Sequence, residues 1–317
     1  MAIKLARKSF ILPSKELTHW FPGHMSKGMK QMEAKMSKVD CVIEVHDSRI
    51  PLTGRNPLLR DVITKNKPHI LVLNKMDLIT AEDRRNAHQK LLNERVADEI
   101  IFTYCKNEQS PGIRKILPTL QKLLKRKLSI SVETGRTSDI NLMIVGIPNV
   151  GKSSLINMLR AKHLSKGNAA PVGAVAGITR SLQEKVKICE NPKIYLLDTP
   201  GIMIPAIKDA ETGMKLAACA TLKDHLVGPE LIADYILYWM NKEGIYSYVD
   251  AFQLPTPSDD ITEVLTRIAI SQSKFLSIRQ GNGEKRSYPN FKHAAEQFIK
   301  AFRTGQFGKL MLDSDLM

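Results

Sequence analysis

Short apolar runs punctuate this chain. Cys41–His46 ends at Asp47, His69–Leu73 is closed by Asn74, Glu99–Tyr104 is a third run, and Ile140–Val145 a fourth. Leu182–Ile188 and Ile194–Leu197 add two more. Runs of this length bounded by polar residues predict buried strands. Between them, Ala81–Val96 and Ile113–Leu124 place apolar residues at helical spacing among charges, which predicts helices. A helix with Met29, Met32 and Met36 on one face is predicted to follow the turn Trp20–Met25. Strands alternating with helices predict an α/β fold, a doubly wound and mostly parallel sheet covered on both faces. From about residue 207 the pattern changes. Lys215–Leu222, Glu230–Met240 and Ile261–Gln272 read as helices, and Lys285–Lys309 is rich in bases and phenylalanine. The expected organisation is a basic segment over 1–19, an α/β domain over 20–207 and a helical domain over 208–317.

Bulk properties narrow the partners. The 317 residues are 43% hydrophobic and 25% charged, ordinary for a globular chain, but the net charge is +15 and the pI about 9.6. That excess favours a polyanionic partner, nucleic acid or an anionic membrane surface. Cys41, Cys105, Cys189 and Cys219 have no paired spacing, so neither a zinc site nor a disulfide framework is indicated. No apolar stretch approaches bilayer length. The first 19 residues carry Lys4, Arg7, Lys8 and Lys15 against Glu16, which fits a mitochondrial targeting helix and a basic nucleic-acid-binding arm equally well.

Three motifs carry chemistry. Gly146-Ile147-Pro148-Asn149-Val150-Gly151-Lys152-Ser153 follows a strand and opens a helix, the context of a phosphate-binding loop. Its glycines let the backbone curl, so that N–H groups from Asn149, Val150 and Gly151 through Ser154 point at phosphate. Lys152 would reach the β and γ phosphates, and the Ser153 hydroxyl would bind Mg²⁺. Asn74-Lys75-Met76-Asp77 ends another strand. The Asp77 carboxylate can accept both N1–H and the exocyclic amine of guanine, an arrangement adenine lacks. Asn74 would tie the base loop to the phosphate loop, the Lys75 stem would lie along the base, and the Cys105 backbone N–H would meet guanine O6. Asp198-Thr199-Pro200-Gly201 would hold Mg²⁺ through Asp198 and meet the γ-phosphate through the Gly201 N–H. Thr179 is the candidate second Mg²⁺ ligand from the protein, with Thr53 the weaker alternative. The three motifs imply GTP and GDP as ligands and GTP hydrolysis as the reaction. Ile202 stands where a Ras-type GTPase has its water-orienting Gln, and an aliphatic side chain orients no water. The missing help has three candidate sources: His24 within this chain, a cation such as K⁺ held by Asn149, or a partner.

The order of the motifs is unusual, because the base-reading half precedes the phosphate-reading half. G-x-P-N-V-G-K-S, N-K-M-D and D-T-P-G in this order resemble the circularly permuted ribosome-assembly GTPases. Trp20–Met25, Asp47-Ser48-Arg49-Ile50-Pro51 and Arg55-Asn56-Pro57 resemble the YlqF/RbgA branch, its mitochondrial members above all. The resemblance implies a circularly permuted P-loop GTPase domain and a factor in late assembly of the large ribosomal subunit, with rRNA as the anionic partner. It also implies K⁺ dependence through Asn149 and strengthens His24 as the catalytic candidate. RNA contacts are expected from Lys285, Arg286, Lys292, Lys300 and Arg303, in a monomer of the mitochondrial matrix, either free or attached peripherally to the inner membrane. A cytoplasmic location and a membrane-surface signalling GTPase are the alternatives. The second should carry a lipidation motif, and Leu312–Met317 has no prenylation Cys.

Overall fold

The computed structural model describes residues 7–11, 35–55, 67–125, 129, 139–164, 185–197, 209–279 and 285–317. The chain divides into two compact units, Pro22–Ala206 with Asp313–Met317, and Met1–Phe21 with Ile207–Leu312. Residues 313–317 therefore group with the sheet unit and not with the helices that precede them.

The sheet unit is built on six strands: β1 (Cys41–Asp47), β2 (His69–Asn74), β3 (Glu99–Phe102), β4 (Ile140–Val145), β5 (Val186–Cys189) and β6 (Ile194–Leu196). They lie in the order β3-β2-β1-β4-β6-β5, and only the β5–β6 pair is antiparallel. β1 and β2 are buried at every position, as central strands covered on both faces must be. Helices α1 (Ala81–Asn93), α2 (Pro111–Leu123) and α3 (Lys152–His163) connect them. α1 begins at a capping box in which Thr80 and Asp83 satisfy each other's backbone N–H.

Successive strands run outward from β1 through β2 to β3, and the chain then crosses back to place β4 on the other side of β1. That reversal opens a crevice at the carboxyl ends of β1 and β4, where doubly wound sheets bind ligands. The register sets Glu44 of β1 beside Leu71 of β2 and Val145 of β4, on one face. Here Glu44 contacts His46 Nε2 at 2.7 Å and His69 Nε2 at 2.9 Å, all three buried. Burial works to raise the Glu44 pKa, but the two histidines and Arg55 outweigh it and hold it well below the usual carboxylate range.

The second unit is mainly helical: α4 (Ala210–Ala218), α5 (Asp224–Val227), α6 (Pro229–Lys242), α7 (Ser247–Ala251), α8 (Ile261–Ser271) and α9 (Phe291–Thr304). α6 buries nearly its whole length and packs on α4, α5, α8 and α9. α9 opens at Asn290, whose side chain accepts from the His293 N–H, and closes at Gly305 with φ of 82°. One element corrects the expectation of a purely helical domain. β7 (Phe275–Arg279) and β8 (Lys285–Pro289) form an antiparallel hairpin. All four cysteines of the chain are buried free thiols.

Candidate functional site

The site is assembled at the carboxyl ends of β1, β2 and β4. Leaving β4, the backbone takes positive φ at Gly146 (146°), Asn149 (59°) and Gly151 (101°). A Cβ at Gly146 would lie 2.2 Å from the Val45 carbonyl oxygen, and one at Gly151 would lie 2.2 Å from Asn74 Nδ2. Only glycine permits this close approach, so the loop forms a cradle of the kind that phosphate occupies. α3 starts at Lys152 with no side chain capping its first N–H groups, and Ser153 and Ser154 are exposed there. The positive end of the helix dipole therefore faces the cradle.

Lys152 folds back over the loop, its Nζ donating to the carbonyl oxygens of Gly146 and Ile147, both at 2.8 Å. Burial lowers its pKa to about 8. A lysine stripped of water and held by two carbonyls gains from an arriving anion, so the residues present fit a phosphate group.

On the base-reading side Asn74 joins the two loops. Its Nδ2 donates to the Val150 carbonyl at 2.8 Å, and its Oδ1 accepts from the Cys105 N–H at 3.1 Å and from Thr103 Oγ1 at 3.3 Å. Val150 and Cys105 are thus brought together through one buried amide, and in this state the Cys105 N–H points at Asn74. Burial pushes the Cys105 thiol up to about 11, so it stays protonated. Lys75 holds the left-handed conformation with φ of 62°, and Asp77 sits exposed on the single 3₁₀ turn Met76–Leu78.

Sequence reasoning missed the supports of this loop. Asp47, fully buried at the end of β1, accepts from Lys75 Nζ at 2.8 Å, from Arg49 Nε at 3.0 Å and from Arg49 Nη2 at 2.7 Å. Burial works to raise the Asp47 pKa, but Arg49 and Lys75 outweigh it and hold the carboxyl far below its ordinary value. Asp313, also fully buried, accepts from the N–H groups of Leu52 and Thr53 at 2.8 and 2.9 Å and from Thr53 Oγ1 at 2.5 Å. The Thr53 hydroxyl is therefore committed to Asp313, which removes it as a magnesium ligand in this state. A carboxylate and a guanidinium two residues apart at the end of a buried strand could have flagged Asp47. No local signal could have flagged Asp313.

His24, Thr179, Asp198, Gly201 and Ile202 lie outside the described residues. Among the RNA-contact candidates, Lys285, Arg286, Lys292 and Lys300 are exposed. Arg303 is not available: it donates to the carbonyls of Ala217 and Ala218 at the end of α4 and pairs with Asp224 at 2.6 Å, so it is a structural cap.

Comparison with known proteins agrees with this geometry. A family model described as "50S ribosome-binding GTPase" matches residues 141–265, starting in the strand that feeds the phosphate cradle. The chain is 50% identical over 310 residues to Mitochondrial GTPase 1 of Aedes aegypti, covering 98% of each. It is 43% identical to Mitochondrial ribosome-associated GTPase 1 of Mus musculus, covering 98% of this chain and 94% of that one. It is 32% identical to Ribosome biogenesis GTPase A of Bacillus licheniformis, covering 93% and 97% respectively. The GDP-bound structure of TM YlqF shares the fold with a TM-score of 0.53 at 20% identity, covering 89% of this chain and 97% of that one.

Proposed function

The chain belongs to the family of mitochondrial GTPase 1, also called mitochondrial ribosome-associated GTPase 1, and from that premise we propose that it is a GTP-driven factor assisting assembly of the large mitochondrial ribosomal subunit. It is a GTPase. The observation that carries the reading is Asn74, which binds Val150 of the phosphate cradle and Cys105 of the base loop at once, across the permuted order of the chain.

In this proposal Asp77 reads guanine, Lys75 flanks the base, and the Cys105 N–H turns from Asn74 towards O6. The N–H groups of Asn149 through Ser154 hold the phosphates. Lys152 leaves the Gly146 and Ile147 carbonyls for the β and γ phosphates. Ser153, with Thr179 and Asp198, would hold Mg²⁺, which supplies charge neutralisation on the phosphates. Gly201 senses the γ-phosphate, Asn149 holds K⁺, and His24 is the candidate for activating water. Loss of the γ-phosphate releases the Gly201 loop and changes affinity for the subunit. The compartment is the mitochondrion, as the names of the relatives suggest, and the finer reading is a monomer in the matrix or on the matrix face of the inner membrane.

The test is GTP turnover in K⁺ buffer with and without purified large mitochondrial subunits. Strong stimulation by the subunit is the expected result. GTP binding with no stimulation by any large subunit would overturn the proposal.

A further inference from the structure

Large apolar side chains gather at the surface of the β7–β8 hairpin and at Phe291, which begins α9. Phe275 and Leu276 are each 47% exposed, Tyr288 41% and Phe291 36%. A two-stranded ribbon has little stability of its own, and large apolar groups gathered at a surface mark a binding site. The antiparallel register divides its side chains between two faces. Leu276 and Tyr288 stand opposite each other on one, with Arg286 two residues along from Tyr288. Phe275, Arg279 and Lys285 belong to the other, where Arg279 pairs with Lys285. Lys274 and Lys292 flank the strands.

This pattern selects among polyanions. A hairpin lying in a membrane surface needs one apolar face and keeps its bases on the other. Here both faces carry an arginine together with aromatic or aliphatic surface. Duplex RNA offers phosphates and 2′-hydroxyls but hides the faces of its bases, which leaves Phe275 and Tyr288 without a partner. An unpaired strand offers both chemistries together, phosphates for the bases and base faces for the rings. The net charge of +15 supplies the long-range attraction.

We propose that the Phe275–Pro289 hairpin is a stacking platform for unpaired RNA, with Phe275 and Tyr288 holding bases and Arg279, Lys285 and Arg286 holding the flanking phosphates. This rests on the ribosome-assembly reading above and sharpens it, because the binding target becomes a single-stranded stretch of rRNA and not a helix.

The experiment uses the full chain and fluorescence anisotropy, with an unstructured RNA of roughly ten nucleotides and a duplex of the same length. The single strand is expected to bind at least about tenfold more tightly. Phe275→Ala and Tyr288→Ala should each weaken single-strand binding by roughly 5- to 100-fold while leaving duplex binding and the slope of affinity against salt unchanged. Tyr288→Phe, which keeps the ring and loses only the hydroxyl, should bind like the native protein. Lys285→Gln with Arg286→Gln should flatten the salt slope. Equal or tighter binding of duplex, or alanine variants that bind the single strand normally, would overturn the platform while leaving RNA binding intact. Absence of binding to either RNA would overturn the platform and RNA binding together. Capture of the protein by phosphatidylserine vesicles in a Phe275-dependent manner, without RNA binding, would reassign the hairpin to a membrane.

Discussion

The two loops of the nucleotide site are built by different means. The phosphate cradle is shaped by backbone: positive φ at Gly146, Asn149 and Gly151, an uncapped helix start, and a lysine that closes on its own carbonyls. The base-reading side is shaped by buried side chains: Asp47 gripping Lys75 and Arg49, Asn74 bonded to three partners, and Asp313 bracing Leu52 and Thr53. The difference teaches which bond each loop must give up for its ligand. In the cradle, Lys152 lies on the Gly146 and Ile147 carbonyls and would have to leave them for a phosphate. On the base side Asp47 holds Lys75 in place, but the Cys105 N–H would have to leave Asn74 to reach a base.

The largest expected effect breaks the base side. Asp47→Asn keeps the shape but leaves Arg49 buried with its charge unbalanced. Removing one member of a buried ion pair costs about 3–5 kcal/mol, so chemical denaturation should show a loss of about that size. Gly151→Ala breaks the cradle instead. It puts a methyl against Asn74 at a φ of 101°. Backbone strain and the displaced Asn74 bond together should cost about 3 kcal/mol of stability in chemical denaturation, and the distorted cradle should also lose GDP affinity in calorimetry. Gly151→Ala is thus expected to lower both stability and GDP affinity, and Asp47→Asn to act on stability first.

A smaller effect sharpens the contrast. Asp313→Ala leaves the Leu52 and Thr53 N–H groups buried without their acceptor. Thermal or chemical denaturation should register a loss of about 2 kcal/mol, with affinity for inorganic phosphate unchanged. The smallest effect is a pH dependence of the cradle alone. Burial lowers the Lys152 pKa from its ordinary 10.5 to about 8, whereas bound phosphate favours the charged form. Raising the pH from 7 to 8 should therefore weaken nucleotide binding about twofold, with proton uptake on binding seen in buffers of different ionisation enthalpy. The stability of the empty protein moves the other way. The folded state sheds the proton first, so stability rises as pH climbs through 8 towards 10.5.

The sheet and the motifs were legible in the sequence for simple reasons. A strand buried on both faces must be a continuous apolar run, as in His69–Leu73, and a cradle of backbone amides must show its glycines at fixed spacing. The hairpin was less legible because its strands mix apolar and basic residues on both faces, without the continuous apolar run of a buried strand. Its one local sign is Gly281-Asn282-Gly283 between Phe275–Arg279 and Lys285–Pro289, a turn composition between two β-favouring stretches. Arg303 shows the converse error. Composition counts it as a surface base, but tertiary structure uses it to cap α4. Asp313 was illegible in principle, since its meaning comes from residues far away in the chain.

Asp313 lies 260 residues from the Thr53 it braces. A ribosome adding roughly 5–20 residues per second presents the Ile50–Gly54 loop some tens of seconds before its brace has been synthesised. During that interval the N-K-x-D motif exists while the loop after β1 lacks its brace. A product truncated before residue 313 would carry the N-K-x-D and G-x-x-x-x-G-K-S motifs intact and still lack the brace on Leu52 and Thr53.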